Sequence, residues 1–260
     1  MLVTTSTRGQ EKLEDQARKI AEELQFPYIK RKRYSVQQML KQCQAEYLIL
    51  VETEGIKCIF KEDIKNPFFF HPSSAMFRIK RLGKGEHDPL VQAAELQEGM
   101  SFLDCTLGLA SDSIVASFAT GPTGFVVGIE SVSVFAYLVQ QGLQEWDAGI
   151  ADMNAAMKRI QVKNAEHLEY LKQSPTDGFD IVYFDPMFEN QQVESTGISP
   201  LKKMANYSPL SVEVIEEAKR VARQKVILKD SSYSSRFHAL GFKAIERKYA
   251  SHWFGVIELG

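Results

Sequence analysis

Three acidic residues close apolar runs at positions where a carboxylate can do chemistry. Asp104 ends Ser101-Phe102-Leu103-Asp104 and opens the loop Cys105-Thr106-Leu107-Gly108-Leu109-Ala110-Ser111-Asp112. Glu130 ends Phe125-Val126-Val127-Gly128-Ile129-Glu130. Asp185 follows Asp180-Ile181-Val182-Tyr183-Phe184 and precedes Pro186-Met187-Phe188. A carboxylate at a strand end can accept both hydroxyls of a ribose, the role expected of Glu130. One glycine after the first strand, Gly108, lets the backbone approach a ligand. The three-glycine pattern that cradles a pyrophosphate is missing, which counts against a dinucleotide. A ribosyl cofactor without phosphates fits better, and S-adenosyl-L-methionine is such a cofactor.

These residues need a scaffold that gathers strand ends. From Ser101 onward strands alternate with helices. The strands are 101–106, 125–130, 160–163, 179–184 and 225–229, with helices over about 112–119, 132–145, 167–171 and 210–222 between them. Residues 242–247 and 253–259 read as a closing hairpin. Near-continuous apolar strands separated by helices imply a parallel sheet covered on both faces. Its ligand then sits beyond the C-terminal strand ends. The first part of the chain reads as a smaller α/β unit. It has a strand at Leu2-Val3-Thr4-Thr5 and a helix capped by Ser6 or Thr7, with Leu13, Ala17, Ile20 and Leu24 on one face. A second helix is capped by Ser35, and a hairpin turns at Glu52-Thr53-Glu54-Gly55. Asn66-Pro67 and the aromatic run after it mark the boundary, giving domains over 1–75 and 76–260.

The turn Asp185-Pro186-Met187-Phe188 resembles the [Asn/Asp]-Pro-Pro-[Tyr/Phe] motif of methyltransferases that modify exocyclic amino nitrogens, with Met187 replacing the second proline. In that chemistry Asp185 and the Pro186 carbonyl accept the two N–H bonds of the amine, and Phe188 stacks on a flipped base. The segments DCTLGLASD (104–112) and FDPMFE (184–189) further resemble the RsmJ-type family of small-subunit ribosomal RNA guanine-N2 methyltransferases. Lys84-Gly85-Glu86 and Lys229 are similar to that family's basic stretch and late lysine. The resemblance covers about residues 80–260. It implies a Rossmann-like class I fold with a mostly parallel seven-stranded sheet, S-adenosyl-L-methionine as cofactor, and RNA as partner, either ribosomal RNA or the small ribosomal subunit. It puts Asp104, Gly108, Ser111, Asp112, Glu130, Ser131, Glu166, His167 and Asp185 around the cofactor, and Asp185, Pro186 and Phe188 at the methyl-transfer centre. Ala110, Ser111, Ser131 and Glu189 depart from the family pattern, so the exact nucleotide stays open. DNA adenine N6 or a small molecule are the other methyl acceptors. A non-catalytic RNA-binding protein of ribosome assembly is the reading from another class.

Composition sets bounds. Apolar residues make up 44% and charged residues 25% of the 260, the balance of an ordinary globular protein. No apolar run approaches the roughly 18–20 residues needed to span a bilayer. The start is polar, and the three scattered cysteines form no disulfide framework, so a reducing cytoplasm is expected. Residues 1–90 carry 16 Lys+Arg against 12 Asp+Glu, although the whole chain has a net charge of −2. Lys30-Arg31-Lys32-Arg33 and the group Arg78, Lys80, Arg81, Lys84 could each neutralise phosphates. The Thr-Thr-Ser opening, the first helix and the KRKRYS stretch also resemble the start of the Brix-type RNA-binding fold. His71, His87, His238 and His252 lack metal-ligand spacing, and Trp146 and Trp253 read as core. Cys105 is not expected to be a nucleophile, and Gly-x-Ser-x-Gly is absent.

Overall fold

A computed structural model describes residues 1–186 and 210–259. The chain divides after Phe70 into two units.

The first unit is built on a four-stranded sheet, order β1-β2-β3-β4, from β1 (Leu2–Thr5), β2 (Tyr47–Glu52), β3 (Gly55–Phe60) and β4 (Asp63–Phe68). β1 runs parallel to β2, and the two later pairings are antiparallel. The expected hairpin is β2–β3. Pro67, expected to mark a boundary, lies within β4, an edge strand where its missing N–H costs no ladder bond. Helix α1 (Gln10–Glu23) buries Leu13, Ala17 and Ile20 as their spacing requires. Its N-cap is Gly9 in the left-handed conformation, not Ser6 or Thr7. The Ser6 hydroxyl is instead spent on the Arg8 carbonyl, 2.7 Å away. Helix α2 (Val36–Gln42) starts at Ser35 with a full capping box to Gln38.

The second unit opens with two helices that the sequence pattern did not reveal, α3 (Ser73–Leu82) and α4 (Pro89–Ala94). There follow β5 (Ser101–Asp104), α5 (Ser111–Thr120), β6 (Phe125–Glu130), α6 (Ser133–Glu145), α7 (Ala151–Arg159), β7 (Gln161–Asn164), α8 (His167–Gln173) and β8 (Phe179–Phe184). Then come α9 (Val212–Val221), β9 (Ala222–Ser231), α10 (Ser235–Ala239), β10 (Lys243–Ile245) and β11 (His252–Glu258). The sheet has seven strands, ordered β10-β11-β9-β8-β5-β6-β7. β7, β6, β5, β8 and β9 are parallel, and the closing hairpin adds two antiparallel strands. This is the Rossmann-like α/β sheet the sequence implied.

All six residues of β8 are buried, which explains its apolar run from Ile181 to Phe184; the one acid in it, Asp180, is paired with Arg223. One core packs Leu103, Val127, Val182 and Val226 of the sheet against Val214, Ile215 and Ala218 of α9. Gly128 is required by packing: a Cβ there would lie 2.3 Å from Leu107 Cδ1. Leu107 can therefore fold down onto β6, with its N–H bonded to the Ile129 carbonyl at 3.0 Å. Trp146 departs from expectation, standing 37% exposed at the end of α6.

Candidate active site

The chain leaves β5 toward β6 and β7 on one side, then returns to build β8 and β9 on the other. The switch point is therefore the crevice between the C-terminal ends of β5 and β8, where open α/β sheets bind ligands. Asp104 and Asp185 stand on its two sides.

Asp104 is 1% exposed and buckles the loop that follows it. One oxygen accepts the Thr106 N–H at 3.0 Å and the other the Ser113 hydroxyl at 2.6 Å. Burial raises its pKa to about 7, against the pull of those hydrogen bonds. The Thr106 hydroxyl then accepts the backbone N–H of Asp185 at 2.6 Å, which joins the β5 loop to the β8 loop. Gly108 (φ 50°) and Ala110 (φ 61°) both adopt left-handed backbone. Ala110 thus keeps a conformation that glycine takes more easily, at about 1–2 kcal/mol. In doing so it sets the start of α5 and the positions of Ser111 and Asp112.

Glu130 is half-buried at the end of β6. Burial pushes its pKa up, and the backbone N–H of Val132, 2.9 Å from Oε1, pulls it down. Ser131 beside it is exposed. Asn164 at the end of β7 donates to the carbonyls of Glu130 and Ser131, at 2.8 and 3.1 Å, fixing this turn. Glu166 caps α8 through the N–H groups of Leu168 and Glu169, and its other oxygen lies 3.0 Å from His167 Nδ1. Burial lowers the His167 pKa, keeping the ring neutral. Its Nε2 is buried without a hydrogen-bond partner among the described residues. Buried polar atoms in proteins are nearly always paired, so an orphan at the sheet's ligand edge points to a missing polar partner.

The structure gathers further residues that sequence reasoning did not assemble. Asp112 accepts hydrogen bonds from Arg78 Nη1, from the Tyr183 hydroxyl at 2.8 Å and from Lys229 Nζ at 3.0 Å. Lys229 Nζ also reaches Asp185 Oδ2 at 2.7 Å. Arg78 makes two further bonds to Asp88, at 2.7 and 2.8 Å. Arg78 is thus withdrawn from the basic cluster expected to meet phosphates, and Arg81 of that cluster pairs with Glu86 at 2.8 Å. Burial alone would raise the Asp112 pKa, but Lys229 and Arg78 hold it well below the carboxylate range. For Asp185 burial wins: its pKa rises to about 6, restrained by Lys229 and aided by Asp112. Of the expected catalytic set, Asp185 and Pro186 are half-buried at the crevice, and Phe188 lies outside the described residues.

A family model described as "Putative SAM-dependent methyltransferase" matches residues 32–249. The chain belongs to this family. S-adenosylmethionine is its cofactor. The donor set fits such a group, with a carboxylate at Glu130 for a ribose diol, the orphaned His167 nitrogen, and an acidic crevice for a sulfonium cation. This methyltransferase is 46% identical over 257 residues, 99% of each chain, to the uncharacterized protein YpiP of Bacillus subtilis (strain 168). It is 28% identical over 141 residues to the ribosomal RNA small subunit methyltransferase J of Buchnera aphidicola subsp. Schizaphis graminum, covering 52% of this chain and 54% of that one. It is 27% identical over 157 residues to the enzyme of that name from Hydrogenovibrio crunogenus, covering 58% and 55%. A solved SAM-dependent methyltransferase from Neisseria gonorrhoeae shares the fold, with a TM-score of 0.62 at 18% identity over 99% of this chain and 96% of the other. Among the described residues no helix is long and apolar enough to cross a membrane.

Proposed function

We propose that this methyltransferase acts on an exocyclic amino nitrogen of a base in RNA, with guanine N2 of small-subunit ribosomal RNA as the target. The observation that carries the reading is the Asp185-Pro186 turn, directly after β8, with the Asp185 backbone N–H tied to the β5 loop and its carboxylate to Lys229. S-adenosylmethionine supplies an electrophilic methyl group when bound. Glu130 holds the ribose hydroxyls, with Gly108, Ser111 and Ser131 alongside, and Glu166 and His167 lie at the adenosine end. Asp104 shapes the loop, and Asp112, its oxygens already engaged, acts through its cations. Asp185 and the Pro186 carbonyl accept the N–H bonds of the amine and aim its lone pair, so that catalysis comes mainly from orientation. Phe188 stacks on the base. The similarity to two enzymes named for small-subunit ribosomal RNA supports the substrate class, and the basic quartet Lys30 to Arg33 supplies phosphate contacts. Such a substrate places the activity in the cytoplasm.

The test is transfer of tritiated methyl groups to small ribosomal subunits and to naked ribosomal RNA from a strain lacking the gene, with mass mapping of the product. Label at a guanine N2 is expected. Asp185→Asn should lower turnover about 10- to 100-fold, the range for a hydrogen bond to a charged group, with a smaller change in RNA affinity. Cofactor binding without labelling of either RNA would reject the substrate. Full turnover by Asp185→Asn would reject the role of the turn.

A further inference from the structure

Arg78 on α3, Asp112 on α5, Tyr183 on β8 and Lys229 on β9 converge from segments far apart in the chain, and Asp185 is the member of their cluster that faces the crevice. The ammonium of Lys229 is shared between two carboxylates, 3.0 Å from Asp112 and 2.7 Å from Asp185. Asp112 is itself fixed from behind by Arg78 and the Tyr183 hydroxyl, and Arg78 by both oxygens of Asp88. A lysine chain is flexible, and it gains a defined position only when its donors are anchored at more than one point. Here one anchor, Asp112, is rigid, so Lys229 transmits that rigidity to Oδ2 of Asp185. The Asp185 and Asp112 carboxyls also lie within hydrogen-bond reach of each other.

We propose that Lys229 is a positioning residue for methyl transfer, bridging the fixed Asp112 to Asp185 so that one oxygen of Asp185 is held and the other is presented to the reacting amine. This rests on the reading of Asp185 as the amine's acceptor. The Asp185 carboxyl accepts through both oxygens only when ionised, because protonation places a donor on one of them. Asp185 faces Lys229 from β9, Asp112 from α5, Asp104 from β5 and Tyr183 from the strand before it, β8. Arg78 on α3 and His252 on β11 face the same cluster. His252 is held neutral near neutral pH, its pKa lowered to about 4 by burial and then by Lys229 and Arg247. Among the described residues Lys229 is thus the cation in direct contact with Asp185, opposed chiefly by the Asp112 carboxylate.

The experiment reads the Asp185 carboxyl directly by carbon-13 NMR titration of the full-length protein without RNA, assigned with Asp185→Asn. In the wild type the midpoint should lie near 6. Lys229→Met should raise it by about one unit or more, the size expected on removing one close charge partner, and Lys229→Arg should restore it. Asp112→Asn removes the competing anion and should move the midpoint the other way. The acid limb of the methylation rate should shift with each midpoint, while in the Lys229 variants affinity for S-adenosylhomocysteine changes little. A midpoint unmoved in folded Lys229→Met would overturn the proposal. If Lys229→Met does not fold, an Asp112→Asn midpoint that stays put or rises would overturn it equally. Correct titrations without any RNA labelling would reject the substrate and leave the bridge standing.

Discussion

Asp104 gives a prediction whose size follows from its surroundings. Its carboxyl is 1% exposed, and burial lifts its pKa to about 7. The unfolded chain returns it to about 3.9. Between these values the folded protein holds a proton that the unfolded chain has released, so the contribution to stability is full below pH 4 and is lost as pH rises through 7. Three units at about 1.4 kcal/mol each give an upper bound of ~4 kcal/mol, a large share of the 5–15 kcal/mol of a typical domain. Asp104→Asn cannot ionise. It costs a constant amount, because the Thr106 N–H and Ser113 hydroxyl must then share one carbonyl oxygen and an amide. The wild type should therefore be the more stable protein at pH 5, and its advantage should shrink by about 2–3 kcal/mol by pH 8, since the rest of the bound is already lost below pH 5. Urea unfolding followed by tryptophan fluorescence at pH 5, 6, 7 and 8 measures this. Glu130 remains in both proteins and cancels in the difference, whereas Asp185, which interacts with Asp104, contributes a smaller term of its own. Parallel stability curves for the two proteins would refute the argument, since they would mean that Asp104 stays ionised throughout.

Two further outcomes test the site and the RNA-binding surface. Glu130→Ala removes the carboxylate assigned to the ribose; a charge-assisted hydrogen bond is worth about 1.5–3 kcal/mol, so calorimetry should show S-adenosylmethionine binding weakened by roughly one to two orders of magnitude. Unchanged affinity in a folded variant removes the assignment. Neutralising Lys30, Arg31, Lys32 and Arg33 together should weaken binding to all RNA sequences alike and reduce the salt slope by roughly 0.7 for each single-strand phosphate that is no longer neutralised. Lys30 already pairs with Glu14 at 3.2 Å, so its share should be the smallest.

What the sequence revealed, and what it hid, follows from the range of the forces involved. β8 was legible because a strand buried on both faces is mostly apolar, and Asp104, Glu130 and Asp185 were legible because they are the polar residues that end such runs. α2 was legible through Ser35, whose cap acts over three residues, to Gln38. The cap of α1 was misread because Ser6 and Gly9 are both plausible starts, and the choice depends on a backbone conformation that residue types do not record. The network behind Asp185 lies at the far end of this scale. Arg78 and Asp112 are 34 positions apart, and Lys229 and Asp112 are 117. Arg78 stands among Lys80, Arg81 and Lys84, where a positive charge looks like one more solvated or phosphate-seeking residue. One local signal could have separated it. Ala75 and Ile79 form the buried stripe of α3, and Arg78 sits next to Ile79 and three residues after Ala75, on the margin of that stripe. A guanidinium at such a margin is drawn inward if a carboxylate waits there, and the local acid that waits is Asp88, which caps the next helix. The second acid, Asp112, comes from across the fold, and only the closed sheet brings it to the same guanidinium. The carboxylate proposed to face the substrate could be named from its strand end, whereas the groups packed around it come together only after folding.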